Sequence, residues 1–177
     1  MATAPTIPTV PVDDYLNTGY HPDVEYVDGV LVERGMPTPA HGALQLIVGA
    51  FLSRYAEEFS FEVLTECRVE IVKRSRYRIP DILLCTSPIP RTKTLETVPL
   101  AVIEILSPDD RTSDQLVRFR DYRARGVRDI VVLDPENLTA ARYPHMEDPV
   151  TGIELPDGRT VPFPADELLE TLRRKLG

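Results

Sequence analysis

The sequence predicts an α/β fold in the α+β sense, a mixed sheet flanked by helices, and three observations predict it. Apolar runs of strand length recur along the chain between amphipathic stretches of helical period. Asp28-Gly29 separates two short β-rich runs, the mark of a tight hairpin. No Gly-rich loop opens any helix, so the nucleotide-cradling α/β classes drop out. With 177 residues at 42% hydrophobic content, the chain suits one domain with a real core over 12–177. The Pro/Thr/Ala-rich residues 1–11 read as a flexible N-terminal arm.

The elements follow in order. Val12 to Asn17 forms a short helix. Val24–Val27 and Val30–Glu33 flank Asp28-Gly29, which accepts the positive φ angles of a type I′ turn. After the breakers Pro37 and Pro39, a helix runs from His41 to Phe59, its apolar stripe built by Leu44, Ile47, Val48, Phe51, Leu52 and Tyr55. Phe61 to Val72 alternates apolar and charged residues as a half-buried antiparallel strand. A basic loop at Lys73–Arg76 leads into a strand over Tyr77–Cys85, and a Pro/Thr-rich connection leads to Leu100–Leu106. Ser107-Pro108 ends that strand. A helix from Thr112 to Arg125 is capped by Thr112 or Ser113 and stopped at Gly126. Asp129–Asp134 is a buried strand, Ala140–Tyr143 an edge strand, Glu154–Val161 a small hairpin, and Ala165–Lys175 a terminal amphipathic helix.

Composition narrows the function classes. No apolar run reaches the length of about eighteen residues that a membrane span needs, and Met1-Ala2-Thr3-Ala4-Pro5 lacks the charge and apolar block of a signal peptide. Cys67 and Cys85 lie in strand-like runs without a CxxC, and read as reduced, buried thiols of a cytosolic protein; their spacing also permits a disulfide. His21, His41 and His145 are far apart, which argues against structural zinc. The net charge of −8 is unevenly spread. Residues 61–128 hold thirteen Lys/Arg against ten Asp/Glu, whereas the remainder holds seven against eighteen. Either a solvated helix face with a charged hairpin loop or a phosphate-facing surface accounts for that concentration.

Two acids stand out inside apolar runs: Asp81 in Arg78-Ile79-Pro80-Asp81-Ile82-Leu83-Leu84, and Glu104 in Ala101-Val102-Ile103-Glu104-Ile105-Leu106. A carboxylate desolvated there needs an arginine, a hydrogen-bond network or a metal ion. On neighbouring strands the two acids, with the backbone carbonyl of Ile105, present three hard oxygen ligands for Mg²⁺, leaving the remaining positions to water and a phosphate. The alternative is a pair of strand-end acids salt-bridged to arginines.

The ordered stretches Glu25-Tyr26-Val27-Asp28-Gly29-Val30-Leu31, His41 opening the first long helix, Arg78-Ile79-Pro80-Asp81, Glu104-Ile105-Leu106-Ser107-Pro108, Asp114 to Tyr122, and Gly126-Val127 leading to Leu133-Asp134-Pro135 resemble the Uma2 (DUF820) family. That family lies within the PD-(D/E)XK restriction-endonuclease-like superfamily, and the resemblance spans about residues 12–143. It implies a restriction-endonuclease-like fold, Mg²⁺-dependent phosphodiester hydrolysis with Mn²⁺ able to substitute, and a homodimer. By position, Asp81 and Glu104 match the metal-binding acids, and Glu25 the acid that completes the site. His41 matches a residue at the active-site mouth. Taken alone, Glu25 reads as a solvent-facing strand residue and His41 as an exposed first-turn histidine.

Two positions depart from the pattern. The lysine common two residues after the second acid is replaced by Leu106. The following helix, from which such a lysine can migrate into the site, carries Arg118 at the matching position. An arginine stays charged and can stabilise phosphate charge, but it is implausible as a general base. Asp114 and Arg118 are also spaced i,i+4 and could form a surface ion pair. The leading expectation is therefore a cytosolic, Mg²⁺-dependent endonuclease acting on DNA, with Glu25, His41, Asp81, Glu104 and Arg118 as its catalytic set. The alternative is a catalytically degenerate nucleic-acid-binding or interaction module that keeps the fold.

Overall fold

A computed structural model describes residues 9–108 and 110–176. Its element order is α1 (Val12–Asn17), β1 (Val24–Val27), β2 (Val30–Glu33), α2 (Pro39–Ser53), α3 (Ala56–Phe59), β3 (Phe61–Thr65), β4 (Val69–Val72), β5 (Arg76–Arg78), β6 (Ile82–Thr86) and β7 (Ala101–Ile105). Then come α4 (Thr112–Arg125), β8 (Asp129–Asp134), β9 (Thr139–Tyr143), β10 (Gly152–Glu154), β11 (Thr160–Pro162) and α5 (Ala165–Leu176). The strands form a four-stranded sheet ordered β2-β1-β5-β4, a five-stranded sheet ordered β3-β6-β7-β8-β9, and the β10-β11 hairpin. Only β7 and β8 pair in parallel among the described strands, joined through α4 as a β-α-β unit.

The five-stranded sheet is buried on both faces, and period-two alternation sorts its residues between them. Ile82, Leu84, Ala101, Ile103, Ile105, Val131 and Leu133 pack with Leu44, Val48 and Leu52 of α2 and with Leu168, Leu169 and Leu172 of α5. Leu83, Cys85, Val102, Ile130 and Val132 pack with Phe119 and Tyr122 of α4. Glu104 shares the parity of Val102, so the pleat turns its carboxylate toward α4. The four-stranded sheet closes over a tyrosine cluster of Tyr15, Tyr26 and Tyr77.

Several elements differ from the sequence reading in an instructive way. The expected strand Phe61–Val72 is divided at Glu66, which adopts φ 51°. Its first half pairs with β6 in one sheet and its second half with β5 in the other. The expected strand Tyr77–Cys85 is divided as well, because the chain leaves the four-stranded sheet at Arg78 and enters the five-stranded sheet at Ile82. Pro80, which has no N–H to give a ladder, stands in that gap with Asp81. The long helix begins at Pro39, with Thr38 Oγ1 accepting from the His41 N–H at 3.2 Å, and breaks after Ser53. There the Ser53 hydroxyl bonds back to the Gly49 carbonyl, a contact that bends helices.

The turn Asp28-Gly29 has φ 50° and 94°, and Gly126 ends α4 at φ 108°, both as their residue types require. Thr112 and Ser113 do not cap α4; Arg111 holds the cap position with no side-chain bond. Cys67 and Cys85 are free thiols, Cys67 only partly buried. Of the expected arm, residues 1–8 lie outside the described residues, whereas Val10 is tied to Gly29 and to the Tyr26 hydroxyl at 2.8 Å each. Among the described residues, no helix is long and apolar enough to cross a membrane.

Candidate active site

The break at Ile79-Pro80-Asp81 frees the Asp81 side chain from any ladder and turns it toward the end of β7. There its Oδ2 accepts the Ile105 N–H at 2.7 Å. Its Oδ1 faces two cationic or polar groups, Arg34 Nη2 at 2.6 Å and His41 Nε2 at 3.3 Å. The Asp81 carbonyl accepts from Gln45 of α2 at 2.9 Å and from the Glu66 N–H at 3.3 Å, so the backbone carrying the acid is pinned too. Burial pushes the Asp81 carboxyl up, but the His41 hydrogen bond, the Arg34 charge and the Ile105 N–H outweigh it. The net position is below the usual carboxylate range.

Glu104 is fully enclosed and behaves in the opposite way. Burial, and then the charge of Asp81, push its carboxyl up to about 8, against the pull of Arg118 and of a 2.6 Å hydrogen bond from the Tyr122 hydroxyl. The charge of Asp81 thus adds to burial in disfavouring ionisation of Glu104. Arg118, 12% exposed at its side chain, lies between Glu25 Oε1 at 3.5 Å and Glu104 Oε2 at 3.9 Å. Those are ion-pair distances without a directed hydrogen bond, and the buried Nε has no hydrogen-bond partner. The fields of Glu104 and Glu25 overcome burial and keep Arg118 protonated. Its partners are these acids, not Asp114 on its own helix.

Glu25 is 0% exposed, where its position before a tight turn suggested a solvent-facing residue. Its Oε2 meets Arg78 Nη1 at 2.6 Å and its Oε1 accepts the Ile79 N–H at 3.0 Å. Arg78 in turn reaches Asp121 of α4 at 2.6–2.8 Å, and Asp121 also accepts from Arg76 at 2.7 Å. This acid therefore belongs to a buried charge network that clamps the four-stranded sheet onto α4. His41 is likewise buried, 4% exposed, with Nδ1 lacking a partner. The exposed alternatives for both residues are set aside by their burial.

Asp81, His41, Arg118, Ile105, Arg34 and Ser107 line one small, polar, solvent-reaching pocket. Glu104 sits behind it, and Glu25 one step further back through Arg118. Arg34, at the exit of β2, carries no helical or strand pattern that marks it in the sequence; only a tertiary contact reveals it. The described residues contain no cluster of three His, Cys, Asp or Glu side chains arranged as a ready-made cage. Asp81 and Glu104 nonetheless fit a hard divalent cation, because Mg²⁺ takes one or two carboxylates and leaves its other positions to water, carbonyl and phosphate oxygens. The donor set supports that fit: Asp81 and Ile105 line the pocket, and the Glu104 carboxyl lies directly behind it beside Arg118.

A mixed sheet flanked by helices, with Asp81 and Arg118 on one pocket and Glu104 behind it, is the arrangement of a restriction-endonuclease-like domain. Residues 13–165 match the Uma2 family model, described as "Putative restriction endonuclease", and the chain belongs to that family. It is similar in structure, at a TM-score of 0.74 and 20% identity, to the crystal structure of a "putative nuclease belonging to DUF820" from Anabaena variabilis, covering 92% of this chain and 99% of that one. In sequence it is 26% identical over 100 residues to the "Uncharacterized protein slr1290" of Synechocystis. That match covers 55% of this chain and 53% of the other, so the chain aligns with about half the length of that relative.

Proposed function

We propose that this chain is a Mg²⁺-dependent endonuclease that hydrolyses phosphodiester bonds in DNA, with Asp81 and Glu104 as the acids that hold the cation. The observation that carries the reading is the like-charge pair itself. Asp81 lines the pocket together with Arg118, and Glu104, buried behind it, lies 3.9 Å from the same guanidinium. A divalent cation on those acids and the Ile105 carbonyl would supply the Lewis acidity that activates water and offsets charge on the phosphate. Arg118 would face the scissile phosphate and stabilise the charge that builds on it. His41 holds Asp81 at its Oδ1 through Nε2, and its buried Nδ1 has no hydrogen-bond partner. Glu25 acts through others: it fixes Arg78 and Ile79 and sets the position of Arg118.

The family match supports the nuclease class. A homodimer, as the resemblance implies, would set two such pockets against the two strands of a duplex. Incubating purified protein with supercoiled plasmid and Mg²⁺ or Mn²⁺ should yield nicked or linear DNA, with none in EDTA and none from Asp81→Ala. Equal cleavage by wild type and Asp81→Ala would reject the assignment.

Arg118 favours a second reading, a binding module that has lost chemistry. It stands where the resemblance leads one to expect a lysine, and no lysine lines the pocket. That reading predicts salt-dependent retention of DNA without nicking in any metal, and a gain of cleavage on Arg118→Lys.

A further inference from the structure

Asp81 has no free lone pair left for a cation at its Oδ1. Its Oδ2 is held by a backbone N–H, and its Oδ1 by both Arg34 and His41. With two donors already on Oδ1, a hard cation binding that oxygen must displace Arg34 or His41, whereas Oδ2 keeps one lone pair beside the Ile105 N–H. The Ile105 N–H is fixed by the pairing of β7 with β8. His41 is rooted in the first turn of α2, and its side chain is 5% exposed. Arg34 differs on every count: it follows β2 in a connecting segment, its side chain is 15% exposed, and its long stem lines the open pocket beside Ser107 and Arg118. Its guanidinium would also repel an incoming divalent ion most strongly.

We propose that Arg34 is an exchangeable counter-ion. It neutralises Asp81 in the cation-free protein, yields that carboxylate to the metal, and turns to a phosphate of the substrate alongside Arg118. The inference rests on the nuclease reading and adds a residue to it. Two guanidiniums on one pocket form a fork-shaped donor set suited to phosphate oxygens. Before metal arrives, the Arg34–Asp81 pair also spares the protein an uncompensated buried carboxylate.

The test compares wild type, Arg34→Gln and, as a control for net charge, Arg111→Gln, an exposed arginine just before α4. Mn²⁺ affinity is measured by calorimetry. Affinity for a short DNA duplex is measured in Ca²⁺ over a range of salt. Arg34→Gln should bind Mn²⁺ about tenfold tighter, because the competitor is gone, while its DNA affinity drops and the log–log salt slope shrinks by about one. Arg111→Gln should leave Mn²⁺ affinity near wild type. Unchanged or weaker Mn²⁺ binding by Arg34→Gln, or a Mn²⁺ gain matched by Arg111→Gln, overturns the exchange, as does unchanged DNA affinity in Arg34→Gln. If neither wild type nor Arg34→Gln binds Mn²⁺ at all, the metal site falls and the proposal falls with it. Wild-type binding with an unaltered Arg34→Gln defeats the exchange alone.

Discussion

The Tyr122 hydroxyl donates a 2.6 Å hydrogen bond to Glu104 Oε1, joining the helix α4 to the acid of β7 at a point with no access to water. Tyr122 is one helical turn beyond Arg118, so both residues address the same carboxylate from one face of α4. The helix thereby supplies Glu104 with its hydrogen bond and its counter-charge together.

Removing that hydroxyl should therefore cost both stability and metal affinity. Tyr122→Phe leaves a buried carboxylate oxygen short of a donor, a loss of about 1–3 kcal/mol in urea unfolding. It also removes one influence that lowers the Glu104 pKa, so Mn²⁺ binding at pH 7 should weaken. A phenylalanine variant with wild-type midpoint and wild-type Mn²⁺ affinity would show that the bond is idle.

The pH dependence of the cation-free protein follows from Glu104. Its folded pKa, about 8, lies above the 4.5 of the unfolded chain, so between those values the folded state holds a proton that the unfolded state has released. Glu104 thus contributes a stability that falls as pH rises through that window. Urea midpoints from pH 5 to 8 should show the decline, and Glu104→Gln should flatten it. Cation binding must expel the same proton, so calorimetry in buffers of differing ionisation heat should report about one proton released at pH 7.

Arg118 separates chemistry from binding. Arg118→Ala should lower the cleavage rate by about 10²–10³-fold, the usual scale for losing one charge-stabilising donor. Arg118→Lys should retain more activity than alanine, since an amine keeps the charge and can also orient water. A wild-type rate from Arg118→Ala would remove Arg118 from the site.

Glu25 distinguishes a ligand from a scaffold. Its carboxylate is bound on both oxygens by Arg78 and the Ile79 N–H, so Glu25→Gln leaves the buried Arg78 guanidinium with Asp121 as its remaining counter-charge. Breaking such a pair costs about 3–5 kcal/mol, which denaturant unfolding would register. Mn²⁺ affinity should change far less than in Asp81→Asn. A collapse of Mn²⁺ affinity with unaltered stability would make Glu25 a direct ligand instead.

Much of this was legible in the sequence because local rules and global fold agree. The hairpin at Asp28-Gly29, the helix stopped by Gly126, and the buried strands at 101–105 and 129–134 each follow from turn chemistry or apolar periodicity. The acids Asp81 and Glu104 stood out by the cost of burying charge in apolar runs. What periodicity could not show is which sheet a strand joins. Phe61–Val72 alternates correctly along its length, yet Glu66 turns it from one sheet into the other. The same corner recurs at Pro80, and it is what releases Asp81 from the ladder into the pocket. Arg34 was invisible for a related reason. Its partner lies forty-seven positions away, and only the packing of two sheets brings them together.

The most direct test is the anomalous signal of Mn²⁺ soaked into crystals of the protein. A single peak at about 2.1 Å from carboxylate oxygens of both Asp81 and Glu104, with Arg34 withdrawn from Asp81, is the expected result. A saturating soak that places manganese elsewhere, in crystals of protein that cleaves DNA with Mn²⁺, would contradict the assignment of these two acids as the metal site.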